Sequence, residues 1–420
     1  MDGMRDFDAA SASKAALSIR LVGLLVAQLC VYSTLSALCF ACPLYLLDRS
    51  GSSTLYGAVA AIAFIPGVLA TPAGGVLADR EGHRSVLAAL GIVLMIAAML
   101  FVPMKRSLPL AAVVVVMLCV QYAVQSILKP ILQIETLRIA GKEKVERATA
   151  LVSQTTMASN ILGPVVGTAV YGCFGIDVLC AIAAVAFAMS SLLFWATLKQ
   201  NVPSEVTGDG STRMACQSDF LSAIRYLLQN TSLLAVILFA AVLNLALVGL
   251  TIGAPVIVTR HLGMQSSCVG IIEAAMGLGG LAGSVLVGVW PHRFSFNGIC
   301  RYVAMICFGV VPIIVVLLSG ADQFVFAALA AGSAWVMVWA SIASVEIVAS
   351  VQRAVPRELC GKVLSVVYMA LSCATPIGQL AYGFAYDRWA PAAVFAAMLV
   401  VLALTTVLFY RLKSRSRQTM

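Results

Sequence analysis

Gly75-Val76-Leu77-Ala78-Asp79-Arg80-Glu81-Gly82-His83-Arg84 is a charged, glycine-containing stretch wedged between two apolar runs, residues 54–78 and 85–103. Each run is long enough to cross a bilayer, since roughly 20 apolar residues suffice. The stretch is one of the few polar interruptions in a 420-residue chain that is 61% hydrophobic. It therefore reads as a hinge between two membrane helices, and the rest of the chain is placed outward from it.

Mean hydropathy is +0.99, and only 11% of side chains are charged. A soluble protein of this length has too much surface to hide so much apolar area. The chain therefore reads as an all-α polytopic membrane protein. The 32 glycines and the prolines inside apolar runs agree, because membrane helices tolerate both. Runs such as Leu108–Val120 lack the period-two alternation of a barrel. A net charge of +9 would suggest nucleic acid in a soluble chain. Here most Lys and Arg fall in loops and tails of one side, so the charge reports topology and implies no nucleic-acid partner. The twelve cysteines lie mostly singly in apolar runs, without metal or disulfide spacing, and no metal or cofactor is expected. Met1–Ser18 has no apolar core or cleavage site, so no signal peptide is expected.

Twelve spans are expected, at about 19–46, 54–78, 85–103, 109–132, 148–171, 178–198, 231–258, 268–290, 298–318, 323–350, 362–386 and 391–410. Residues 135–147 are expected to form an inner loop with a short surface helix. Residues 1–18 then form a cytoplasmic tail, and 19–198 form an N-terminal six-helix bundle. A polar linker with an amphipathic helix at Asp219–Leu228 occupies 199–230, 231–410 form a second bundle, and 411–420 a basic tail. Both ends are expected in the cytoplasm, at the inner (plasma) membrane. The halves echo one another: Tyr171-Gly172 with Asp177 parallels Tyr382-Gly383 with Asp387. Two related six-helix halves are the plan of an alternating-access transporter.

Few polar residues interrupt the spans, and each is a candidate. Glu273 and Glu346 sit in otherwise apolar runs, where an ionised carboxylate is costly and a functional role is the default expectation. The alternative is a structural acid paired across helices or near a lipid headgroup. Lys129, near the end of its span, either meets Glu135 or a substrate anion, or snorkels to the inner surface. Gln28, Tyr32, Tyr122, Gln125, Asn244 and Tyr368 are candidates to line a mostly apolar cavity, or else to satisfy interhelical hydrogen bonds. Trp335 and Trp339 either wall that cavity or face lipid. No enzymatic constellation is present, and there is no nucleotide-binding glycine-lysine loop, so an ion gradient is the expected energy source.

The twelve spans, the central linker and Gly75–Arg84 resemble the major facilitator superfamily and its loop between helices 2 and 3. Asn160-Ile-Leu-Gly163-Pro164-Val-Val-Gly167 looks like the helix 5 motif of proton-driven exporters. Arg353-Ala-Val-Pro-Arg-Glu-Leu-Cys-Gly-Lys-Val-Leu-Ser365 and Asp219–Leu228 resemble the macrolide-efflux-like drug:proton antiporter branch. This resemblance implies a monomeric exporter of small amphipathic organic compounds in exchange for protons, in contact with membrane lipid. The alternatives are an importer or facilitator of a metabolite or lysophospholipid, and a non-transporting receptor or scaffold. It also implies a cytoplasmic gate of Gly75, Asp79, Arg80, Gly82, Arg84, Glu135 and Gly361. In that gate Asp79 faces the helix 11 N-terminus near Gly361 and Arg84 pairs with Glu135. Two departures stand out. Gln121–Lys129 replaces an Arg-rich helix 4 motif, and the second-half counterpart loop, Gly288-Val-Trp-Pro-His292-Arg293, lacks the acid.

Overall fold

The computed structural model describes residues 2–78, 83–140, 145–198, 227, 229–355 and 357–418. Twelve long helices account for nearly all of them: α1 (Asp2–Ser50), α2 (Ser53–Ala78), α3 (His83–Ser107), α4 (Leu110–Ala140), α5 (Val145–Phe174) and α6 (Ile176–Thr197). After the linker come α7 (Thr231–Val256), α8 (Ser267–Val289), α9 (Ile299–Ser319), α10 (Asp322–Ala354), α11 (Arg357–Arg388) and α12 (Pro391–Gln418). A π-turn, Ile257–His261, prolongs α7, and two 3-10 turns, Pro291–Arg293 and Phe296–Gly298, join α8 to α9. No strand occurs among the described residues. Helices satisfy every backbone group within the segment, which hydrocarbon demands.

Eleven of these helices are long and apolar enough to cross a membrane. The exception is α11, whose described run is diluted by Ser372, Thr375, Gln379 and Tyr382. Hydropathy locates the membrane edge, and several helices run past it. The 135–147 loop expected from polarity is instead the end of α4, to Ala140, and the start of α5, from Val145. Likewise α1 begins at Asp2, with no break between tail and span. Short connections replace loops where a glycine takes the left-handed region: Gly175 (φ 83°) between α5 and α6, and Gly320 (φ 66°) between α9 and α10.

The chain divides into two compact units, Met1–Leu46 with Ile62–Gly208, and Leu47–Ala61 with Asp209–Met420. In the first, α3 packs on α6 and α4, and α5 on α4 and α6. Gly163 and Gly167 of α5 bring it onto α1. A Cβ at Gly163 would lie 2.4 Å from the Ser36 side chain, and one at Gly167 would lie 2.8 Å from the Ala37 backbone. The GxxxG spacing thus marks a real helix contact.

In the second unit, α8 packs along α10, α9 on α10 and α12, and α7 on α11 and α12. Gly249 and Gly253 of α7 receive the rings of Tyr382 and Tyr386 from α11, and the Tyr386 hydroxyl donates to the Gly249 carbonyl at 2.9 Å. Asn230 caps α7 by accepting from the Leu233 N–H. Leu227 is the one residue of the expected amphipathic segment Asp219–Leu228 that the structure describes. It is buried with Leu233, Ile237, Val351, Val355 and Val363, so it packs into protein.

Candidate functional site

The α1 stripe read from spacing is buried in the first unit. Gln28 is 1% exposed, and its amide donates to the Val152 carbonyl (3.3 Å) and to the Thr156 hydroxyl (3.4 Å) on α5. Its Oε1 is buried without a partner among the described residues. Tyr32, one turn on, is also buried. On α4, Gln121 is fully buried: its Oε1 accepts from Cys39 at 2.8 Å, and its Nε2 has no partner among the described residues. Tyr122 meets Phe64 edge-on, with centroids 5.9 Å apart, and Gln125 is half-buried. Buried amides left half-satisfied are costly in a packed interior, so they mark positions where a polar group is missing. Gln121 was read from sequence only as a departure from the helix 4 motif; it is the more buried neighbour of Tyr122.

At one end of this unit, Glu135 of α4 meets His83 of α3 through Nδ1, and Arg138 at 3.2 Å. Arg84 turns instead to α6, its guanidinium 4.0 Å from the centroid of the Trp195 ring. The expected Arg84–Glu135 pair is therefore replaced by His83–Glu135. The shift is one residue: adjacent positions point about 100° apart on a helix, so only one of them faces α4. His83 is 3% exposed, and its Nε2 is buried without a partner among the described residues. Asp79, Arg80 and Gly82 lie outside the described residues; Gly75 falls within α2 and Gly361 within α11. Lys129 is exposed on α4, as snorkelling requires. Asn160 is exposed on α5, and the Thr168 hydroxyl donates to the Pro164 carbonyl at 2.7 Å.

The two candidate acids of the second unit have different surroundings. Glu346 is 6% exposed and paired with Arg353, two turns on along α10, at 3.4 Å. Glu273, in the first half of α8, has Oε1 buried without a hydrogen-bond partner among the described residues. Trp339 stacks on Tyr302 (centroids 6.0 Å apart), and its Nε1 has no partner among the described residues. Trp335 is 40% exposed, bonds the Met305 carbonyl at 2.9 Å and meets the exposed ring of Phe308. That places Trp335 on the apolar periphery. Asn244 is half-buried on α7, and Tyr368 is exposed on α11.

Asp387 forms the densest polar cluster of this unit. Its carboxylate accepts from the backbone N–H groups of Ser53 and Thr54, both at 2.8 Å, and from the Ser52 hydroxyl at 2.9 Å. Arg260, from the π-turn, donates to it at 2.7 Å and to the Ser53 hydroxyl at 2.9 Å. Burial alone would raise the Asp387 carboxyl, but the Thr54 and Ser53 N–H groups and the Ser52 and Thr54 side chains hold it well below the usual carboxylate range. The bonds made by the ionised form therefore persist above that range and are lost only when pH falls below it. Nearby, Ser266 bonds Asp48, and His261 lies 3.7 Å from Asp322. Sequence reading paired Asp387 with Asp177 as repeat markers. Asp177 instead opens α6 and holds Lys105.

Two apolar clefts lie on the first unit, and of the residues above only Asp177 lines one of them. One of about 440 Å³ lies between α3 and α6, lined by Met95, Met99, Val102 and Val185 among others; the second, about 230 Å³, lies between α3 and α4. Met99 and Val185 are each 61% exposed, so the larger cleft is a furrow of the apolar surface.

The fold has known counterparts. A nucleoside transporter, NupG, matches with a TM-score of 0.70 at 15% identity, covering 94% of this chain and 98% of that one. A bacterial homolog of the human lysosomal transporter Spinster, in an inward-facing and unoccupied conformation, matches at 0.70 and 13%, covering 95% and 97%. A D-xylose-proton symporter matches at 0.62 and 18%, covering 93% and 96%. No curated protein matches. The family profile of the Major Facilitator Superfamily matches residues 24–346. This chain, a multi-pass membrane protein of transporter rather than enzyme architecture, belongs to the Major Facilitator Superfamily.

Proposed function

We propose that this secondary transporter exports small amphipathic organic compounds from the cytoplasm in exchange for protons. The observation that carries the reading is Glu273, a carboxylate within a membrane span with one oxygen buried and without a partner among the described residues. Such a residue marks an ion or substrate path. Glu346 is already paired with Arg353, and Lys129 is exposed, so both rank behind it. The half-satisfied amides of Gln28 and Gln121 supply a few hydrogen-bonding groups in mostly apolar surroundings, which suits a lipophilic substrate with a polar end. The Asn160–Gly167 motif favours export over the facilitator and importer readings.

The decisive measurement is a panel of amphipathic compounds added to proteoliposomes with a pH reporter inside. Exchange moves protons opposite to the substrate. Substrate counterflow with no pH change would replace antiport by facilitation, and a pH change in the direction of the substrate would replace it by symport. Gating is assigned to the 75–84 stretch with Glu135 and Gly361. Asp79→Asn is expected to lower transport several-fold at normal expression, through loss of an anion facing a helix N-terminus; unchanged transport would remove Asp79 from the gate.

A further inference from the structure

The first turn of α2 has an unusual hydrogen-bond account. A helix leaves four N–H groups without intrahelical partners at its start. Here the Ser52 N–H goes to the Ser50 hydroxyl at 3.2 Å and the Leu55 N–H to the Ser52 hydroxyl at 3.2 Å, so these two are satisfied locally. The other two, from Ser53 and Thr54, go to Asp387, more than 300 residues away in sequence. The negative carboxylate also complements the positive end of the α2 dipole, and Arg260 balances its charge.

Beneath this cluster α2 and α11 come close. A Cβ at Gly57 would lie 2.1 Å from the Gln379 carbonyl oxygen, and one at Gly383 would lie 2.6 Å from the Ser53 carbonyl oxygen. Two backbones therefore approach closely at glycines. When such a contact parts, water replaces Asp387 on the two N–H groups. Both the joined and the parted arrangement leave the backbone satisfied, which is the requirement for a two-state element.

We propose that Asp387 and Arg260 form a releasable clasp on the N-terminus of α2, holding the α1–α2 turn against α11 in one state of the transport cycle and freeing it in another. The proposal rests on the alternating-access reading above. Asp387 and Arg260 are positioning residues in it: they set which state is populated and touch no substrate. Gly57 and Gly383 let the turn seat. The charge distribution assigns this turn to the outer face, where water is available to take the freed N–H groups.

Ser53 is fully buried beneath the clasp, so a cysteine there reports release. The experiment labels Ser53→Cys protein in right-side-out vesicles with a membrane-impermeant maleimide. The same protein without that cysteine gives the background from native thiols. Adding Asp387→Asn is expected to raise the labelling rate several-fold, and Arg260→Gln to raise it in the same direction. Asp387→Glu, which keeps the charge, is expected to restore much of the protection. Labelling that is unchanged by both Asp387→Asn and Arg260→Gln would overturn the clasp, as would a Ser53→Cys thiol that already reacts at the rate of an exposed one. If Asp387→Asn does not reach the membrane, Arg260→Gln carries the test, since its side chain is 39% exposed and its loss leaves the backbone bonds to Asp387 in place. Labelling needs neither substrate nor a pH gradient. Failure of the clasp is thus separate from failure of proton exchange, which shows only in the flux assay.

Discussion

Glu273→Gln is expected to abolish proton movement coupled to substrate, down to the level of empty vesicles, while substrate counterflow continues. The amide keeps the volume and a hydrogen-bonding oxygen of the carboxyl but cannot bind and release a proton. Counterflow exchanges substrate for substrate and needs no proton, so a loss of both activities would instead mean that Glu273 supports folding or binds substrate. Retention of normal pH dependence would remove it from the proton path. Glu346→Gln is the contrast. Its partner Arg353 is 66% exposed and remains solvated after the change, so a modest effect without loss of coupling is expected. The pair of variants separates a carboxylate with one oxygen unpartnered among the described residues from a carboxylate with an ion-pair partner.

The second large effect is structural and turns on adjacent glycines of α8. A Cβ at Gly279 would lie 2.2 Å from the Ala334 carbonyl oxygen of α10, a backbone atom that cannot move aside. A Cβ at Gly280 meets nothing within 4 Å. Gly279→Leu must therefore push α8 off α10, at a cost of about 3 kcal/mol or more by analogy with overpacked cores. Gly280→Leu points away and gains helix propensity, so it is expected to be neutral or slightly stabilising. Gly283 repeats the first case, its Cβ falling 2.2 Å from the Val338 carbonyl oxygen. Detergent size-exclusion profiles and thermal unfolding measure the difference. Equal behaviour of Gly279→Leu and Gly280→Leu would show that the α8–α10 contact is not as close as described.

Much of the architecture was legible because the bilayer imposes its own length scale. Runs such as 85–103 and 178–198 needed only counting to become α3 and α6. The helix ends were less legible. Polarity changes at the membrane surface, whereas the backbone ladder of α4 continues to Ala140 and that of α10 to Ala354. Glycine spacing also spoke plainly in α5, where Gly163 and Gly167 proved to be contact points on α1. In α8 the same residue type was mute: Gly279, Gly280 and Gly283 look alike in a list, and only the neighbouring helix separates them.

The candidate site divides along the same line. Glu273, Gln28 and Tyr32 stood out because a polar residue inside an apolar span is conspicuous without any structure. His83 did not, because a histidine beside a charged loop is unremarkable until α4 brings Glu135 to it. Asp387 was noticed only as one half of a repeat, and Arg260 not at all. Their bonds to each other and to residues 52–54 join parts of the chain far apart in sequence.

By itself, the sequence determined the class of solvent, the number of spans and the family, since each depends on local composition and on motifs within one segment. Only the tertiary structure decided which glycines carry contacts, which acid has a partner and which helix end Asp387 caps. Those depend on the rotation of each helix about its axis and on long-range contacts, and the near-uniform apolar surface of a membrane helix records neither.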